Sequence, residues 1–337
     1  MSGPPPALAA ARRAVRLALA DLPPGAPVLV ACSGGADSLA LAVAARDAAA
    51  ATGRQAGAVV VDHGMQEGSD EVARRTAAVC RDLGLAPVLV RSVVVTGADG
   101  PEANARTARY AALQAAARET GAATVLLGHT LDDQAETVLL ALARGSGTRS
   151  LAGMRERRGL WRRPLLGLRR ADTEAVCAAA GLEPWHDPTN RGERGDPVRS
   201  RLRAQVLPLL AEVLGPGVPE ALARTAQMLA DDEEHLDALA TAGLVAARTA
   251  AAPPAPQAVG ALDVTVLESL PTAVRRRVVR RALVDAGVPA GALAHVHVVE
   301  VERLVTGWRG QGPVDVPGRH RVSRRCGTLV VERPADR

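Results

Sequence analysis

The chain has 337 residues but no lysine, no isoleucine and no phenylalanine, so all 41 basic side chains are arginine. Exchange toward residues with G/C-rich codons accounts for the bias, yet the bias still excludes chemistry. A Walker nucleotide loop needs the lysine of GxxxxGK[ST], and a ligase that forms a covalent lysyl-adenylate needs its nucleophile. Cysteine is scarce too: Cys32, Cys80, Cys177 and Cys326 form no CxxC pair. Zinc knuckles, iron–sulfur clusters and disulfide scaffolds are therefore not indicated, and the four read as buried small apolar residues. No run reaches the roughly 18 apolar residues of a membrane span, and Arg12, Arg13 and Arg16 interrupt the N-terminal segment. A cytosolic (cytoplasmic) protein with no membrane association is expected. The 47% hydrophobic content suffices for a core, and the length allows two domains. A net charge of +5 with an isoelectric point near 9.8 suits a polyanionic partner without identifying one.

In the first half, runs rich in valine and leucine without polar alternation occur at 28–32, 58–62, 87–95 and 124–128. Helical stretches near 37–52, 70–83, 102–120 and 131–143 lie between and after them. This rhythm predicts an α/β fold, a doubly wound parallel sheet of Rossmann type with ligands at the carboxyl ends of its strands. A further strand is expected at 160–166. From about residue 199 the pattern turns helical, with a long run at 219–248, and "AAAPPAPQAVGA" reads as a linker before a smaller module ending in a hairpin-like segment.

Three stretches carry chemistry. In "VACSGGADS" a strand meets Ser33-Gly34-Gly35-Ala36-Asp37-Ser38. Its backbone N–H groups, helix N-terminus and two hydroxyls can cradle a phosphate without lysine, although Asp37 or Ser38 capping the helix explains a bare turn equally well. In "VVVDHGM", His63 follows a second strand, either lining an adenosine pocket or lying on a surface loop. In "LLGHTLDDQAETVLLALARGSG", Gly128 and His129 precede a helix that puts Asp132 and Glu136 on one face with Asp133 beside them. Carboxylates there can bind magnesium or take a proton, or can complement the helix dipole.

With "EANARTARY", "RRPLL", "WHDPTN" and "RSRLRAQVLPLL", these stretches resemble the tRNA(Ile)-lysidine synthetases, members of the PP-loop ATPases. The resemblance implies ATP and Mg2+ as cofactors and a tRNA(Ile) with a CAU anticodon as partner. The wobble cytidine is adenylated on its ring carbonyl oxygen, pyrophosphate leaves, and free L-lysine then displaces AMP to give lysidine. It implies ATP binding by Ser33, Gly34, Gly35, Ala36, Asp37, Ser38, His63, Gly128 and His129. Catalysis falls to Asp37, Asp132, Asp133, Glu136 and Arg106, with Mg2+ on Asp37 and Asp132. Contacts to tRNA fall to Arg109, Arg144, Asp187, Asn190, Arg199 and Arg203, with Arg276 and Arg277 of an arginine-studded helix added for their clustering; a solvated helix face is the other reading of Arg106, Arg109 and that helix. Trp185 is expected to pack. The family's arginine-asparagine pair stands here as Arg199-Ser200, and a single C-terminal module is expected where some relatives carry two.

The organisation expected is a PP-loop ATP-binding catalytic domain at 1–198, a helical connector at 199–250, a linker at 251–261 and a small α+β tRNA-binding domain at 262–337. Oligomeric state stays open, a homodimer included. Other readings are a PP-loop tRNA 2-thiolase, an amidotransferase or amino-acid ligase of the same superfamily, and a non-catalytic RNA-binding adaptor.

Overall fold

The computed structural model describes residues 4–64, 66, 68–97, 100–145, 147–187, 192–251 and 258–333, the side chains of 101 and 102 excepted. Two compact units divide the chain, Met1–Ala230 and Asp231–Arg337.

The first unit runs α1 (Pro6–Leu19), β1 (Val28–Ala31), α2 (Ala36–Ala50), β2 (Ala56–Asp62), α3 (Ser69–Asp82), β3 (Val88–Ser92), α4 (Pro101–Thr120), β4 (Thr124–Leu127) and α5 (Leu131–Ala143). It continues with α6 (Thr148–Leu151), β5 (Arg157–Arg158), β6 (Trp161–Arg162), α7 (Arg170–Ala179), α8 (Val198–Arg201), α9 (Leu207–Leu214) and the start of α10 (Val218–Ala250). The sheet order is β3-β2-β1-β4-β6-β5, parallel except for the β5–β6 pair. Val28, Val30 and Cys32 enter a core with α1, α2, α3 and α7, while Leu29 joins Leu113 of α4 and Leu127 on the other face. Both faces are covered, which is why these strands lack polar alternation. The chain winds outward through β2 and β3 and returns to β4 beside β1. The switch point for ligands thus lies at the carboxyl ends of β1 and β4.

The strand expected at 160–166 shrinks to Trp161–Arg162 and is followed by a 3-10 turn at Pro164–Gly167, because Pro164 has no N–H for a ladder. Likewise β3 ends at Ser92, short of the expected 95. Between α8 and α9 the helix widens to a π turn at Leu202–Val206, just before Pro208, which has no N–H to give the preceding turn. Cys32, Cys80 and Cys177 are buried as expected, whereas Cys326 is exposed.

The second unit contains the end of α10, then β7 (Ala258–Asp263), α11 (Val264–Ser269), α12 (Thr272–Asp285), α13 (His295–Thr306), β8 (Val314–Val316), β9 (His320–Arg325) and β10 (Thr328–Glu332). Its antiparallel sheet, β7-β10-β9-β8, packs with Leu267, Val278, Leu283 and Leu304 in one core. Residues 258–261, expected in the linker, are strand, while 252–257 lie outside the described residues. Cys326 stands between β9 and β10, at a left-handed φ of 45°. Among the described residues no single helix is long and apolar enough to cross a membrane.

Candidate active site

The loop from Cys32 to Ser38 folds on itself through one hydroxyl. Ser38 Oγ accepts from the Ser33 amide at 3.1 Å and donates to the Gly35 carbonyl at 2.9 Å. The Trp185 amide clamps the Gly34 carbonyl at 2.9 Å. Gly34 has a φ of +87°, and a Cβ there would lie 2.5 Å from Thr76 Oγ1; only glycine meets both demands. No side chain caps α2, whose N-cap is Gly35. Asp37 and Ser38 therefore do not cap the helix, and the first N–H groups of α2 have no side-chain partner. Ser38 is buried in the loop, whereas Ser33, whose hydroxyl donates to Ser38 Oγ at 3.3 Å, is exposed and lines the cavity.

A cavity of about 250 Å³ opens above the cradle, lined among others by Ser33, Gly35, Asp37, Arg109, Gly128 and His129. A Cβ on Gly128 would approach the Asp37 carbonyl oxygen to 2.9 Å, so glycine is what lets β4 close against the start of α2. Burial raises the Asp37 carboxyl above the usual aspartate range. The Thr173 hydroxyl lies 2.5 Å from it, and Arg170 Nε lies 3.6 Å away. Burial pulls His129 down to about 3 despite the opposing charge of Asp133, and its Nδ1 is buried without a partner.

The acids of α5 divide their work in a way the sequence did not show. Asp133 Oδ2 caps the helix by accepting from the Thr130 amide at 2.9 Å. Its Oδ1 faces Arg170 Nη2 at 3.2 Å and Arg203 Nη2 at 3.3 Å. Glu136 is fully buried and takes Arg203 on both oxygens, at 2.7 and 3.2 Å. Asp132, expected to share a face with Glu136, turns instead to Arg169 at 3.0 Å and to the Arg170 amide at 2.8 Å. Asp133 and Glu136 are thus the pair with common partners, and Asp133 is the acid whose charge reaches Asp37. Of the two acids expected to hold Mg2+, Asp37 lies at the cavity and Asp132 pairs with Arg169.

Arg203, aimed from the π turn, and Arg199, 3.8 Å from Glu136 and 3.3 Å from Thr137 Oγ1, both face this acidic cluster. Arg109 lines the cavity, while Arg106, expected in catalysis, is exposed over the Tyr110 ring. A second cavity of about 290 Å³ shares Ser33, Gly35 and Arg109 with the first and adds His63, Gln66 and Asp187. Asp187, expected on tRNA, accepts there from Gln66 at 3.0 Å, and His63 lines this cavity rather than lying on an open loop. Arg144 is exposed at the end of α5, and Asn190 lies outside the described residues. In the second unit Arg276 pairs with Glu302 at 2.6 Å and Arg277 with Glu233. Both are half-buried, and α13 and α10 bring buried carboxylates to them.

Sequence reasoning missed Arg163, Arg169, Arg170 and Thr173. Arg169-Arg170 did carry a signal: two cations at a helix start oppose the dipole and need another reason to be there.

A PP-loop domain family matches residues 9–210, and a TilS substrate binding domain family matches 262–330. The tRNA(Ile)-lysidine synthase of Thermobifida fusca is 53% identical, covering 98% of this chain and 99% of the relative. That of Streptomyces coelicolor is 49% identical at the same coverages. A U34-tRNA thiolase from Methanococcus maripaludis shares the fold with a TM-score of 0.54 and 17% identity, over 67% of this chain and 80% of its own. With an uncapped phosphate cradle, a glycine-closed cavity and full-length relatives at about half identity, the chain belongs to the tRNA(Ile)-lysidine synthase family.

Proposed function

We propose that the protein joins free lysine to carbon 2 of the wobble cytidine of a CAU-anticodon tRNA(Ile), through an adenylated cytidine, with ATP converted to AMP and pyrophosphate. The observation that carries this reading is the meeting at Asp37 of the phosphate cradle and the acid–arginine network of α5 and α7. One half of the site suits a triphosphate, and the other suits a cationic amine.

The first N–H groups of α2, together with Ser33, hold the departing pyrophosphate, where fixed donors stabilise developing charge without reorganising. Arg109, on the cavity wall, faces the transferred phosphate. Asp133 and Glu136 receive the amine of lysine by exchanging with Arg170 and Arg203, and Asp133, nearer the mouth, takes its proton. Magnesium asks for few protein oxygens and fills its other positions with water and phosphate; a buried carboxylate beside the cradle fits it, and Asp37 would hold the ion with Asp133 close by. When bound, it neutralises charge on the phosphates. The reaction takes place in the cytoplasm.

The test is incorporation of labelled lysine into a CAU isoleucine transcript with ATP and magnesium, beside a methionine transcript bearing the same anticodon. Label in the first alone is expected, and Asp37→Ala should lower it about a thousandfold or more with the fold intact. Pyrophosphate release that needs tRNA but yields no lysine label would keep the adenylation and overturn the nucleophile.

A further inference from the structure

Three guanidiniums converge on one phenol beside the nucleotide cavity. Arg106 Nη2 donates to Tyr110 Oη at 3.4 Å and Arg163 Nη2 at 3.5 Å. The guanidinium carbons of Arg106 and Arg109 lie 5.1 and 5.6 Å from the ring centre. Trp161 fixes the ring edge-on, with centroids 4.8 Å apart at 76°. Apart from Tyr110, the Arg163 side chain has only the Arg155 carbonyl, at 2.9 Å, as a hydrogen-bond partner among the described residues.

Charge makes the cluster unusual. Among the described residues, no carboxylate pairs with the exposed Arg106, the half-buried Arg109 or the buried Arg163, although buried arginines elsewhere have one: Arg162 meets Asp21, and Arg275 meets Glu302. Arg163 is only 6% exposed, and its Nε has no partner. Arg109 Nε and His129 Nδ1 are buried and unpartnered as well, and burial lowers Arg109 below the usual arginine range. Repelling cations taken from water without an acid are costly unless a ligand supplies the missing charge. The fork of an arginine matches the oxygens of a phosphate.

We infer that Arg106, Arg109 and Arg163 form an oxyanion subsite that takes a phosphate group during the reaction, with Arg163 as its buried anchor. The inference rests on the proposed function, which puts two phosphate sources at this mouth: the nucleotide, and the RNA backbone flanking the target base. Arg163 is a residue that no sequence motif singled out for this role.

Arg163→Ala, Arg163→Lys and Arg106→Ala are compared in two binding measurements. One uses α,β-methylene ATP and the other a CAU anticodon stem-loop RNA titrated across salt concentrations. Loss of about tenfold to a hundredfold for one probe is expected, with Arg163→Lys intermediate because it keeps the charge and loses the fork. A nucleotide source weakens only the ATP analogue. An RNA source weakens only the stem-loop and lowers its salt slope by about one. Unchanged affinity for both probes overturns the subsite. Should Arg163→Ala fail to fold, the exposed Arg106 carries the same comparison. Neither measurement requires lysine transfer, so failure of the proposed reaction registers separately.

Discussion

In α12, Arg275 and Arg276 share Glu302, Arg277 meets Glu233, and Arg281 meets Asp237 at 3.1 Å. Around Tyr110, three arginines meet a phenol, a backbone carbonyl and one another. The two regions use the same side chain for opposite purposes. In α12 the guanidiniums tie a helix to its neighbours, and each of these four has a carboxylate partner. Beside the cavity the charge is left uncompensated, which costs stability and creates demand for an anion. A count of arginines along the chain sees the first cluster more readily than the second, yet it is the second that is fitted to bind phosphate.

This contrast can be broken by measurement. Replacing Arg275 and Arg276 together with alanine leaves Glu302, only 5% exposed, without its partners. A loss of about 3–5 kcal/mol is expected in urea unfolding; a change near zero would mean that α12 does not depend on these pairs. Arg109→Ala should behave inversely. Lysine transfer falls about a hundredfold or more, while the unfolding midpoint stays level or rises because a half-buried cation without a carboxylate partner is gone. A falling midpoint with retained activity would reverse the assignment. Smaller still is the expected effect of Arg276→Ala with Arg277→Ala on tRNA binding: the salt slope stays as in the unaltered protein, and a slope reduced by about two would return these arginines to the phosphate role.

How much of this was legible in the sequence follows from what local pattern can encode. The β1 loop, the Gly128-His129 approach and the parallel sheet were readable because glycine positions and unbroken apolar runs are local constraints. The C-terminal hairpin was readable for the same reason. Partner choice was not. Asp132, Asp133 and Glu136 stand within one helical turn, and helix geometry alone places each next to the others. What separates them is Arg169 and Arg170 at the start of α7 and Arg203 in a π turn, elements distant in sequence. Arg276 and Arg277 look like a phosphate-binding row until Glu233 and Glu302 are brought to them. Arg163 sits in a motif that reads as a strand end and is buried by contacts that only the fold supplies.

The smallest expected effect falls on His129, where Asp133 raises the proton affinity and Arg163, Arg109 and Arg106 lower it after burial. Its folded value of about 3 lies below the unfolded 6.5. In that interval the unfolded chain binds the extra proton, so stability rises with pH through the window and is lost as pH falls from 6.5 toward 3. Above 6.5 the group contributes no slope. His129→Gln should therefore flatten the acid side of a plot of urea midpoint against pH and leave the neutral side unchanged. Arg163→Gln should raise the histidine's titration midpoint, as followed by its ring-proton resonance, since one of the three repelling charges is removed. An unmoved midpoint would assign the whole depression to burial and would place the guanidinium of Arg163 too far from the cavity to serve an anion held there.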